Sequence, residues 1–293
     1  MYQSLLFVYN TQSGTRMARQ NLDLLIKELY QKGFDLTVCP IGTTRDVYDI
    51  LSRRKFDAVA CVGGDGTLHH TVNAIFEREK KMLPLMYFPS GSTNDFAGTL
   101  NLPQAVQKNM AQLKQNVQWR LDLGDFNGKK FCYIAAFGFL TQVSYCAPKE
   151  MKHLLGHFAY FLEGMRWLDL SKSYAAKVRL DDVELEGCFC YGSISNTKSV
   201  GGFSFPMSSQ VVLDDGFFEV LLVRQPQSFG QMTELIQHLM TQNFDSGDLI
   251  FQKAKKVEII FDRPVAWTLD GEYGGEKMAV QIHILNKSMP VFV

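Results

Sequence analysis

No stretch of this 293-residue chain approaches the ~18 uninterrupted apolar residues that a membrane-crossing helix requires. Neither sign of charge is in excess: thirty basic and thirty acidic side chains cancel, and neither forms a long block. That balance argues against a nucleic-acid partner held on a broad basic face, and leaves a small phosphorylated ligand open. Cysteine is sparse and scattered (Cys39, Cys61, Cys132, Cys146, Cys188, Cys190), with no C-x-x-C pair. The pattern predicts reduced core thiols rather than a disulfide or zinc site. Cys188 and Cys190 are expected on one face of a strand, where small buried thiols are common. The opening "SLLFVYN" has too short an apolar run and no basic lead for a signal peptide, so it reads as a first strand. These features predict a cytoplasmic protein. No repeat, low-complexity tract or disordered linker is visible.

What is present is an ordinary globular balance, 46% hydrophobic and 20% charged. The first third alternates: strand-like "SLLFVYN", "FDLTVCPI", "FDAVACV" and "LPLMYFP" are separated by helical "TRMARQNLDLLIKELYQKG", "TRDVYDILSRR" and "TLHHTVNAIFEREK". This rhythm predicts right-handed crossovers and a sandwiched parallel sheet. From about Arg120 the rhythm changes to many short strand-like segments, among them "KKFCYIAAFG", "KKVEIIF", "PVAWTLDG" and "MAVQIHIL", interrupted by "HLLGHFAYFLEGMRWL" and "SFGQMTELIQHLMTQ". The expected fold is α/β: an N-terminal parallel-sheet α/β nucleotide-binding domain, then a C-terminal β-sandwich domain with inserted helices. The boundaries fall at 1–122 and 123–287, with a tail from about 288 to 293 returning to the first domain. Ligands in such sheets bind beyond the carboxyl ends of the strands, and the cleft between two domains is a natural substrate site.

Three polar loops fall at strand ends: "NTQSG" (Asn10 to Gly14), "GGDGT" (Gly63 to Thr67) and "PSGSTND" (Pro89 to Asp95). Glycine with hydroxyl and amide side chains suits phosphate recognition, although any single strand-to-helix turn needs such residues anyway. Three at one sheet edge favour the ligand. No G-x-x-x-x-G-K-[ST] is present, and Gly63-Gly64-Asp65-Gly66 does not fit G-x-G-x-x-G, which excludes standard P-loop and dinucleotide sites. Asp65 is the puzzle, because a carboxylate in a phosphate-facing loop repels its ligand.

"GGDGTL" followed by "PSGSTNDFA" resembles the catalytic domain of diacylglycerol kinases and related lipid kinases. "LTQVSY", "GHFAYFLEG", "VLDDGFFEVLLV" and "LDGEYGG" extend the resemblance through nearly the whole chain, towards the soluble bacterial members. "GGDG" alone is less specific, since NAD kinases and phosphofructokinases share it. The resemblance implies ATP and Mg2+ as cofactors. It places Asp65, Asp95 and Asp122 in a magnesium and water network, where a divalent ion makes an acid beside phosphate useful. Helix capping for Asp95 and a strand-end turn for Asp122 are the plainer readings. ATP contacts map onto Asn10, Thr11, Gln12, Ser13 and Gly14, onto Gly64, Asp65, Gly66, Thr67 and Leu68, and onto Ser92. A structural magnesium maps onto Val212, Asp215 and Phe217, in a turn that is also ordinary hairpin chemistry. Glu272, with Asp270 nearby, becomes the base that accepts the lipid hydroxyl's proton.

Two departures stand out. His69 and His70 replace a common Asn-Glu, and adjacent helical side chains point about 100° apart, so the pair is a poor chelate and reads as capping or surface. Ile41 stands where relatives place a nucleotide-contacting threonine, with Thr43 and Thr44 as substitutes. The segment Met151 to Leu168 has apolar residues at helical spacing among basic ones, suited to an anionic bilayer; packing on the second domain is the favoured alternative. The implied protein is a lipid kinase converting diacylglycerol to phosphatidic acid, touching the cytoplasmic membrane surface transiently. Another lipid alcohol (phosphatidylglycerol or a sphingoid base), NAD, or a non-catalytic lipid- or nucleotide-binding role are the alternatives, and a homodimer stays open.

Overall fold

The computed structural model describes residues 4–10, 16–103, 108, 110, 118–138, 173–200, 203–204, 211–241 and 247–293. The chain forms two compact units. The first comprises Met1–Leu123, Lys130–Cys132 and Leu285–Val293; the second, Gly124–Lys129 and Tyr133–Ile284.

In the first unit strands and helices alternate: β1 (Ser4–Asn10), α1 (Arg16–Gln31), β2 (Asp35–Ile41), α2 (Thr44–Arg53), β3 (Ala58–Gly63), α3 (Asp65–Glu79), β4 (Leu85–Pro89) and α4 (Asp95–Thr99). β1 pairs in parallel with β2 and β3, and β3 with β4. Every residue of β3 and β4 is buried, as expected of a sheet covered on both faces. Leu25 and Leu29, one turn apart on α1, bury against Leu5, Phe7, Met86 and Phe88. α2 begins with a capping box: Asp46 Oδ2 accepts the N–H groups of Gly42 (2.8 Å) and Thr43 (2.7 Å). Those two N–H groups hold the Asp46 carboxyl below its ordinary pKa. Because the strands run in one direction, Asn10, Ile41, Gly63 and Pro89 end at a common edge.

The later elements are β5 (Gln118–Phe126), β6 (Lys129–Phe131), β7 (Ile134–Gly138), β8 (Tyr174–Leu180), β9 (Val183–Ser195), β10 (Ser199–Val200), β11 (Phe203–Ser204), β12 (Phe218–Arg224), α5 (Phe229–Thr241), β13 (Leu249–Ala254), β14 (Lys256–Leu269) and β15 (Glu272–Phe292). In the second unit the pairing is antiparallel, in the order β13-β12-β9-β7-β14-β15. β8 also pairs with both β9 and β14. Each of those long strands thus serves β7 near one end and β8 near the other. Phe126, Phe137, Phe261 and fully buried Trp267 form its aromatic core, with Phe137 and Trp267 ring centroids 4.9 Å apart.

Three strand expectations are corrected. "KKVEIIF" and "PVAWTLDG" join in one 14-residue strand, and β15 runs for 21 residues rather than ending as a short segment. Pro264 sits in the register shift between Ile260 and Val265, where the missing N–H breaks no ladder bond. "KKFCYIAAFG", read as one strand, divides into β6 and β7. Cys188 is exposed while Cys190 is buried, because the β9–β12 register shifts between Tyr191 and Phe189 and breaks the shared face. Cys39, Cys61 and Cys132 are buried free thiols, and Cys146 lies outside the described residues.

Candidate active site

In the first unit, the loops after β3 and β4 press together through their backbones. A Cβ on Gly91 would lie 2.5 Å from Gly64 Cα, and one on Gly63 would lie 2.4 Å from Thr67 Cβ. Only glycine fits at these positions. Asn94, at φ +57°, ties off the second loop: Gly91 N–H donates to its Oδ1, and its Nδ2 donates to Gly91 O, both at 2.9 Å. Gly63 O accepts from Ser90 N–H (2.9 Å) and from the Tyr87 hydroxyl (3.2 Å). In a planar trans peptide this turns the following N–H, that of Gly64, to the opposite side. Burial raises the Tyr87 phenol well above its ordinary pKa, so the hydroxyl keeps its proton.

Asp65 opens α3 and reaches across to α4. Its Oδ2 accepts Asp95 N–H at 3.1 Å and its Oδ1 accepts Phe96 N–H at 3.2 Å. The acid in the glycine loop is therefore a borrowed cap for a five-residue helix whose own N-cap, Asn94, makes no side-chain cap bond. This juxtaposes Asp65 and Asp95. Gly64, Asp65 and Gly66 are partly exposed, and Ser92 is exposed. Thr67 is buried, with Asn10 Nδ2 3.4 Å from its hydroxyl. Leu68 is a core side chain whose N–H donates to Gly64 O. Thr11, Gln12, Ser13 and Gly14 lie outside the described residues.

Asp122 sits within β5 rather than in a strand-end turn, and is 1% exposed. Its Oδ1 accepts Asn286 Nδ2 (2.8 Å) and Lys287 N–H (2.6 Å), which fixes β15 against it. The two histidines also differ from expectation. His69 is buried, near Asn73, and His70 Nδ1 lies 2.9 Å from Thr44 Oγ1, joining α3 to α2. Ile41 is buried, and the Thr43 hydroxyl is bonded to Asp46. The anchoring role of Asn73 was not legible in the sequence. Its amide accepts Lys130 N–H (2.8 Å) and donates to Lys130 O (2.9 Å), anchoring α3 on β6.

In the second unit, Glu272 is the first residue of β15 and is half-buried. Leu269 pairs with Glu272 across the two-residue turn Asp270-Gly271, whose φ angles are +53° and +84°. That is the primed turn an Asp-Gly dipeptide favours. Val212 is exposed; Asp215 accepts Phe217 N–H at 3.0 Å and Lys253 Nζ at 2.8 Å. Glu219, 1% exposed, lies 3.5 Å from the same Nζ, and neither of its carboxylate oxygens has a hydrogen-bond partner. Burial lifts its carboxyl to about 7, against the pull of Lys253. Among the described residues, no group of three or more His, Cys, Asp or Glu side chains could hold a metal ion by itself.

The fold is a mixed α/β chain with glycine loops at one sheet edge, and comparison with known proteins makes it an enzyme of the kinase class. The family model of the diacylglycerol kinase catalytic domain matches residues 4–126. A diacylglycerol kinase of Staphylococcus saprophyticus is 30% identical over 278 residues, 92% of this chain and 88% of that relative. One of Bacillus subtilis is 28% identical over 273 residues, 92% of this chain and 89% of the relative. The chain belongs to the diacylglycerol kinase family. Its fold matches the crystal structure of a Bacillus anthracis diacylglycerol kinase with a TM-score of 0.78 at 22% identity, over 99% of this chain and 97% of that one.

Proposed function

We propose that this protein uses ATP and Mg2+ to phosphorylate the free hydroxyl of diacylglycerol, giving phosphatidic acid. The observation that carries the reading is a relationship to diacylglycerol kinases that extends over as much as 97% of the chain, long enough to span both the glycine loop and the Glu272 hairpin. The partly exposed α3 N-terminus, Gly64 to Gly66, offers backbone N–H groups and the positive end of a 15-residue helix to the nucleotide phosphates. Asn10, the Thr11–Gly14 loop and Ser92 complete that contact, with Thr67 and Leu68 supporting it from beneath. Asp65, Asp95 and Asp122 hold the magnesium and its waters. When bound, the ion neutralises phosphate charge during transfer. Glu272 accepts the proton of the lipid hydroxyl as its oxygen bonds to the γ-phosphorus and the bond to ADP breaks. Val212 and Phe217 carbonyls, with the Asp215 carboxylate, would hold a structural divalent ion.

A membrane-resident acceptor requires a protein that works in the cytoplasm and visits the inner membrane surface. No helix among the described residues is long and apolar enough to cross a membrane, and Met151 to Leu168 lies outside them. The test is phosphotransfer from labelled ATP to a panel of dispersed acceptors. Product on diacylglycerol alone is expected. Product confined to phosphatidylglycerol, a sphingoid base or NAD would replace the acceptor, and no product on any would contradict the kinase reading.

A further inference from the structure

The β14–β15 hairpin that carries Glu272 is pinned by a group to which no role has been given. Asp270 is 2% exposed, although Gly271 and Tyr273 close by are exposed. A carboxylate is buried at such cost only when donors meet it. Its Oδ1 accepts Tyr133 N–H at 3.0 Å and Ile134 N–H at 3.2 Å, while its own N–H donates to Ile134 O at 2.8 Å. The turn is thereby clamped to the start of β7. On its other side, the register shifts between Trp267 and Thr268, leaving Gly274 unpaired opposite them. A Cβ at Gly274 would lie 3.1 Å from Leu269 Cγ and 3.2 Å from Trp267 O, so the bulge is packed against β14. Glu272 therefore sits between a clamped primed turn and a packed bulge, with little freedom left to its backbone.

We propose that Asp270 is the positioning residue of the proton acceptor: its buried carboxylate fixes the backbone from which Glu272 projects. This rests on the reading of Glu272 as the base. The Tyr133 and Ile134 N–H groups ask for one acceptor oxygen at a set distance. Asp270→Asn retains that oxygen and tolerates positive φ. Asp270→Glu retains the charge but pushes the turn away by one methylene.

The experiment compares kcat and the KM for ATP of Asp270→Asn, Asp270→Glu, Glu272→Gln and the double variant Asp270→Glu/Glu272→Gln, each checked for folding by thermal melt. The neutral variant should keep most of the turnover. The charge-conserving one should lose about 10²-fold in kcat with an unchanged KM for ATP, since small misplacements of a reacting group cost that much. The double variant should be no slower than Glu272→Gln, because both changes remove one function. An Asn variant slower than the Glu variant, or multiplicative losses in the double variant, would overturn the assignment while leaving Glu272 as base. A Glu272→Gln enzyme with normal kcat would instead remove the base, and the positioning role with it.

Discussion

Asp65 has a structural duty, and a proposed catalytic one beside it. Its oxygens receive the first N–H groups of α4 from Asp95 and Phe96, and its place at the glycine loop fits a role in the magnesium network. Asp65→Asn would turn an amide N–H towards one of those donors. Turnover should fall by about 10²-fold or more, and the melting temperature should drop by a few degrees as half the cap is lost. Steady-state kinetics with a thermal melt would check both; normal kcat at saturating magnesium would contradict the network role. Cysteines differ just as sharply at this scale. Burial pushes the Cys39 thiol up to about 11 and those of Cys61 and Cys190 to about 12, whereas Cys188 is exposed. Thiolate is the reactive form. Iodoacetamide at neutral pH, followed by mass spectrometry, should therefore label Cys188 before the other described cysteines.

At the level of elements, the contact between the two phosphate-side loops is the sensitive point. Gly91→Ala would force its Cβ to within 2.5 Å of Gly64 Cα, so the loops must part. The expected result is at least a ~10-fold loss in kcat/KM for ATP, with ~1–3 kcal/mol of lost stability. Unchanged values for both would contradict the close approach. β1, β3 and β4 were legible because each is an apolar run closed by a polar, glycine-bearing loop. The Asp-Gly turn before Glu272 was legible for the same reason of local chemistry. Less local features were not. Pro264 and its polar neighbours hid the continuity of β14, since the irregular pairing there depends on β15. The Cys188 environment depends on a bulge against β12, and the anchor of Asn73 lies 57 residues away at Lys130. Asp122 read as a turn residue because Asn286 and Lys287, its partners, come from the end of the chain.

For the whole molecule, bound ligands and folding are linked. A divalent ion at the Val212–Phe217 turn would bind the folded chain and not the unfolded one, so it should raise the melting temperature. Magnesium is expected to stabilise the wild type. Asp215→Ala should melt lower and lose that response, because it removes both the proposed ligand and the partner of Lys253. A magnesium response identical in the two proteins would place the ion elsewhere. In the proposed function nucleotide binding belongs to one unit and proton acceptance to the other, so a change in the second should spare the first. Glu272→Gln separates them most directly: it keeps size and hydrogen-bonding reach but removes basicity. At saturating ATP and diacylglycerol its kcat should fall by about 10²-fold or more, with ATP affinity essentially unchanged. A variant with wild-type kcat under those conditions would contradict the account.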